Sequence, residues 1–120
     1  MDRKQLANYF LEKPHSKMDY PFGDDVEVYK INGKMFGLIG DHNGYTMINL
    51  KCDPTESLAL QDIFPKTVTP AYHMNKKHWI SVYLNGQIPV GEVQRLIDNS
   101  FNLVVKGMPK KMQQAFLLHC

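Results

Sequence analysis

Little in this sequence is equipped for covalent or metal chemistry. It has two cysteines, Cys52 and Cys120, far apart and without a CxxC or metal-type spacing partner. Neither a disulfide framework nor a zinc site is written into the chain, and two free thiols in a reducing compartment are expected. No apolar run approaches the roughly 18 residues of a membrane-spanning helix. The charged start Met1-Asp2-Arg3-Lys4-Gln5 is followed by no apolar signal-peptide core, so a cytoplasmic location with no membrane partner is expected. Acidic side chains are missing between Ile63 and Gly91 and again after Asp98. Net charge is nonetheless only +2. Bulk charge therefore gives no argument for nucleic acid, and only the placement of charges can.

What is present is an ordinary globular balance. The 120 residues are 43% hydrophobic and 22% charged, enough for a single domain over 1–120 that buries a two-layer core without staples. Leu6, Tyr9, Phe10 and the stem of Lys13 form a helical stripe over residues 2–12, which Pro14 ends. Residues 14–27 read as a connection punctuated by Pro14, Pro21 and Gly23. Its Asp19, Asp24, Asp25 and Glu27 lack the dense register of a calcium loop, and a solvated loop is the simpler reading. Glu27–Ile31 and Lys34–Ile39 form a hairpin around Asn32-Gly33, a pair suited to a type I′ turn. A looser turn over Asp41–Gly44 leads to a third strand, Tyr45–Lys51. In that strand Thr46, Ile48 and Leu50 share one face, and Tyr45, Met47, Asn49 and Lys51 the other.

Asp53-Pro54-Thr55-Glu56 is a helix start: a capping carboxylate, proline at the first helical position, and Glu56 placed to bond back to the cap. Residues 67–74, interrupted by Pro70, predict an edge or bulged strand. Residues 79–84 predict a fifth strand, with Ile80, Val82 and Leu84 opposite Trp79, Ser81 and Tyr83. Val93, Leu96, Ile97, Phe101, Val104, Val105 and Met108 make one stripe on a long helix over 90–107. A short helix over 110–118 closes the chain. The fold expected is α+β: a two-layer, mostly antiparallel five-stranded sheet with helices on one face, in the order α-β-β-β-α-β-β-α. One sheet face is then left open.

The densest chemistry lies in Pro70–Trp79, which holds Lys76, Lys77, His73, His78 and the only tryptophan. A β-hairpin with this basic tip can lay Lys76 and Lys77 on phosphates. Asn75 can bond a phosphate or base edge, and Tyr72 or Trp79 can stack on an exposed base. Against this stands the plainer reading of a solvated turn that protects a sheet edge. His73 and His78 are five apart, and in a strand an odd separation points side chains to opposite faces, which argues against a shared metal. Cys52 precedes a helix N-terminus, where the dipole can lower a thiol pKa, but a buried, inert thiol is the simpler reading. Gly37-Leu38-Ile39-Gly40 lacks the lysine and following helix of a phosphate loop. No nucleophile, base and orienting group occur together, so neither an enzyme nor a cofactor is expected. The alternative to nucleic-acid contact is a protein-interaction module or homodimer using Trp79, Tyr83 and Met47 on the open face.

Several phrases are shared with a known family. Lys34-Met35-Phe36, Leu50-Lys51-Cys52-Asp53-Pro54 and Tyr72-His73-Met74-Asn75-Lys76-Lys77-His78-Trp79 resemble the conserved phrases of the MmcQ/YjbR family. Tyr20-Pro21-Phe22-Gly23, Leu96–Ser100 and Pro109-Lys110-Lys111 are similar to its flanking segments. The resemblance implies a small bacterial cytosolic protein with a CyaY-like fold that binds DNA through a double-wing arrangement. It transfers no residue-level role. The DNA-contact residues chosen on physical grounds are Lys34, Tyr72, His73, Asn75, Lys76, Lys77, His78 and Trp79. Residues 2–12 hold only Asp2 and Glu12 against Arg3 and Lys4, and so lack the acidic helix of an iron-handling frataxin.

Overall fold

The computed structural model describes residues 1–71 and 74–117, with the side chain of Leu117 excepted. Its elements are α1 (Arg3–Leu11), β1 (Lys17–Asp19), β2 (Glu27–Ile31), β3 (Lys34–His42), β4 (Tyr45–Lys51), α2 (Pro54–Ile63), β5 (Val68–Pro70), β6 (Trp79–Tyr83), α3 (Val90–Lys106) and α4 (Lys110–Leu117). The strands form one antiparallel sheet in the order β1-β2-β3-β4-β6-β5. The α+β expectation holds. The strand count is six, because Lys17–Asp19 pairs with β2 inside the stretch expected to be a connection. All three of its residues are exposed, so it carries no burial pattern to read.

Both β2–β3 and β3–β4 turn on two residues with positive φ: Asn32 and Gly33, then Asn43 and Gly44. The second turn is therefore as tight as the first, with His42 directly opposite Tyr45. That register turns Ile48, Leu50, Ile80 and Val82 toward the helices, where each is fully buried. They meet Leu6 and Phe10 of α1 and the predicted stripe of α3. One residue of β3, Phe36, is a bulge against β2, whose Tyr29 opposes Gly37 while Lys30 opposes Met35. The bulge places Phe36 between Phe10 and Phe101, with ring centroids 5.6 Å from each. Phe10 also stacks on Tyr29 at 4.6 Å.

Polar contacts lock helices to sheet. Ser100 of α3 accepts from the Lys51 amide at 2.9 Å and donates to the Phe36 carbonyl at 2.5 Å. Tyr9 donates to Asp98 at 2.8 Å, and Lys13 pairs with the same carboxylate. Asp53 caps α2 by accepting from the Thr55 and Glu56 amides. Glu56 does not bond back to the cap as expected; it pairs with Arg95 of α3 at 2.8 Å. A full guanidinium within reach outcompetes a single neutral amide for that carboxylate.

Candidate nucleic-acid interface

The segment between β5 and β6 builds its own turn. The Asn75 carbonyl accepts from the His78 and Trp79 amides at 3.1 and 2.9 Å. The Asn75 side-chain oxygen accepts from the Lys77 amide at 3.0 Å, an Asx turn. Asn75 thus serves the turn first, leaving its amide nitrogen for a ligand. The His78 carbonyl accepts from the Cys52 amide at 2.8 Å, which ties the turn to the start of α2. Lys76 and Lys77 are exposed and border a groove with Pro54, Leu58 and Pro70. The tip therefore runs alongside α2. Tyr72 and His73, two of the chosen contact residues, lie outside the described residues.

Register gathers more basic groups at this end of the sheet. Lys51 opposes Trp79 across β4 and β6. Lys34 opens β3 at the same end, two strand spacings from Trp79, or roughly 10 Å across the sheet. The Ser100 contact brings the last turns of α3 beneath this edge, and Lys106 borders a cleft with Lys51 and Asp53. The α4 side chain of Met112 meets Asn32 of the β2–β3 turn, which sets Lys110 and Lys111 nearby. Lys34, Lys51, Lys77, Lys106, Lys110 and Lys111 make no ion pair with a described residue. The two carboxylates here are engaged, Asp53 as a cap and Glu56 with Arg95.

The opposite end carries acidic side chains that one arginine partly offsets. Arg3 spans Glu27 at 2.8 Å and Asp41 at 2.9 Å, and donates to the Asp25 carbonyl at 2.6 Å. A net charge of +2 thus conceals a charge gradient along the strands. Lys51, Lys106, Lys110 and Lys111 were not among the chosen contacts. The missing acids after Asp98 were the available signal for three of them, but only the tertiary contacts of α3 and α4 place that tail beside the tip.

The open face is less open than the alternation implied. Asn49 and Ser81 point that way, yet are 7% and 5% exposed. Ser81 donates to Asn49 at 2.6 Å, and Met74 lies over Asn49 with its sulfur 3.7 Å from the amide nitrogen. This covered pair lies in register between Trp79 and the Met47–Tyr83 pair. Cys52 is 5% exposed. Burial, reinforced by Glu56 and Asp53, pushes its thiol up to about 12. It stays protonated and un-nucleophilic at neutral pH, so the helix dipole does not decide its state. Among the described residues no group of three or more His, Cys, Asp or Glu side chains is arranged to hold a metal, and no helix is long and apolar enough to cross a membrane.

Comparison with known proteins agrees with this architecture. The family model YjbR matches residues 11–103. The chain is 47% identical over 111 residues to the uncharacterised protein YbdF of Escherichia coli O157:H7, covering 92% of this chain and 88% of that one. It is 32% identical over 117 residues to the uncharacterised protein YyaQ of Bacillus subtilis, covering 86% and 98%. The crystal structure of Deinococcus radiodurans protein DR2400, a DUF419 domain, superposes with a TM-score of 0.86 at 31% identity, covering 94% of this chain and 86% of that chain.

Proposed function

The chain belongs to the YjbR family, and from that premise we propose that it is a non-enzymatic DNA-binding protein whose contact surface is the lysine-rich end of the sheet. The observation that carries the reading is the convergence there of six lysines without an ion-pair partner among the described residues, with Lys76 and the half-buried Trp79 beside them. Unpaired ammonium groups on one edge neutralise phosphates and release counterions, while a partly exposed indole supplies a stacking surface. The turn over Asn75–Trp79 presents this surface, and Lys34 and the α3–α4 lysines widen it. Fold likeness adds no function of its own.

Titration of duplex and single-stranded DNA at several salt concentrations tests the reading. Affinity should fall steeply with salt. The Lys76→Ala, Lys77→Ala pair should flatten the logarithmic slope by about 0.9 per lost phosphate contact. An unchanged slope, or no binding at low salt, overturns the assignment. The alternative, an interaction module or homodimer on the aromatic sheet face, has less support, because the polar Asn49–Ser81 pair under Met74 interrupts that face.

A further inference from the structure

A separate cleft lies at the other end of the open face. The β3–β4 hairpin contributes His42 and Tyr45, the approach to β5 contributes Lys66, β5 itself Thr69, and the end of β6 and the turn after it Tyr83 and Asn85. The cleft measures about 460 Å³, within the range of roughly 300–1,000 Å³ for small-molecule sites. Register explains the convergence. His42 opposes Tyr45, and Met47 opposes Tyr83, so period-2 alternation sends His42, Tyr45 and Tyr83 to the face away from the core. Asp41, next to His42, points the other way and is held by Arg3.

The groups have distinct capacities. The Tyr83 hydroxyl lies 3.0 Å from His42 Nδ1, with ring centroids 5.8 Å apart. When neutral Nδ1 accepts that hydroxyl proton, Nε2 is the protonated nitrogen and a donor. Lys66 is exposed and makes no ion pair with a described residue. The Thr69 hydroxyl oxygen is buried and has no hydrogen-bond partner among the described residues. Tyr45 is 48% exposed and offers a ring face. Asn85 is a wall, since its amide is engaged with Thr67 and the Gln87 amide. Among the described residues no carboxylate lines the cleft.

An ammonium group, neutral donors and aromatic surface without a carboxylate select against cations and favour an anion attached to something flat. We propose that this cleft binds a small oxyanion carried on a planar ring, its charge on Lys66 and its ring against Tyr45 and Tyr83. An aromatic carboxylate and a mononucleotide both meet that description. The site is independent of the lysine-rich end, so either can fail without the other.

Amide NMR titration of the full chain with benzoate, adenosine monophosphate and inorganic phosphate tests it. The expected result is a saturable shift, with at least one ring-bearing probe, confined to His42–Tyr45, Lys66–Thr69 and Tyr83–Asn85; which probe binds more tightly separates the two ligand sources. Lys66→Gln should weaken that binding by about tenfold with an unchanged melting temperature, whereas Lys76→Ala with Lys77→Ala should leave it intact. Absence of shifts with all probes at millimolar concentration, shifts located elsewhere, or an unaltered affinity in Lys66→Gln overturns the proposal. Inorganic phosphate binding as tightly as the ring-bearing probes overturns the role of the ring.

Discussion

At the scale of single residues, the sheet depends on a position that a sequence reading passes over. Gly37 has no positive φ, so nothing in its turn chemistry demands glycine. A methyl group there would nevertheless sit 2.2 Å from Phe10 Cε1. The bulge at Phe36 is the cause, because it turns two neighbouring residues toward the same packed ring cluster. Gly37→Ala should therefore destabilise by about 1–3 kcal/mol through overpacking, read as a lower midpoint in urea unfolding. A control substitution at Gly91, where the added carbon meets no described atom within 4 Å beyond its chain neighbours and its own helix backbone, should show no such loss. The sequence shows Gly37-Leu38-Ile39-Gly40 only as a non-matching phosphate loop; the packing reason for the glycine exists only once α1 is laid on the sheet. Cys52 has the same lesson in reverse. Its position before a helix left an activated thiol open beside the simpler inert one, and burial beside two carboxylates agrees with the inert reading.

Among the elements, local rules were sufficient for most of the chain. Asp53 and Pro54 start α2 as expected, and Asp53→Ala should lower stability by about 1 kcal/mol, with Asp53→Ser recovering most of it. Thermal unfolding of both variants checks this, since a loss shared equally by the serine variant would assign the effect to something other than capping. The hairpins, the long helix and the register of β4 follow from turn residues and alternation. The short strand β1 does not, because three exposed residues carry no pattern and are strand only by pairing with β2. Glu56 was misassigned for a related reason: its nearest partner in sequence is the cap, while its partner in space is Arg95 on another element. The turn over Asn75–Trp79 was legible as a turn. Its attachment beside α2, through the Cys52 amide, was not.

For the molecule as a whole, buried acids set a pH limit. Burial and Asp98 push the Tyr9 hydroxyl up to about 12, burial pushes Cys52 to about 12, and burial with Glu27 pushes Tyr29 higher still. Each group is neutral in the folded state at a pH where the unfolded chain would lose the proton. Their contribution is thus fully present below the ordinary values of 9.0 for cysteine and 10.0 for tyrosine, and is lost as pH rises through the folded values. Melting temperature should be flat from neutral pH to about 9 and fall steadily above it. Tyr29→Phe, which removes one titrating group, should make the alkaline decline shallower. An equal decline in that variant would show that Tyr29 does not contribute.

The charge gradient is also a property of the whole. Composition determined that net charge is small and that two stretches lack acids. It could not say that these stretches meet, because a helix tail and a strand turn separated by about thirty residues are joined only by the sheet register and the Ser100 contact. By itself the sequence determined every helix and every strand but β1, the positions of the hairpin turns and the apolar face of the longer strands, since these depend on neighbours a few residues away. Only the tertiary structure decided which lysines share an edge, that Asn49 and Ser81 are covered, and that His42, Lys66, Thr69 and Tyr83 line one cleft. Those outcomes depend on which strands lie side by side, and local physical chemistry does not encode that order.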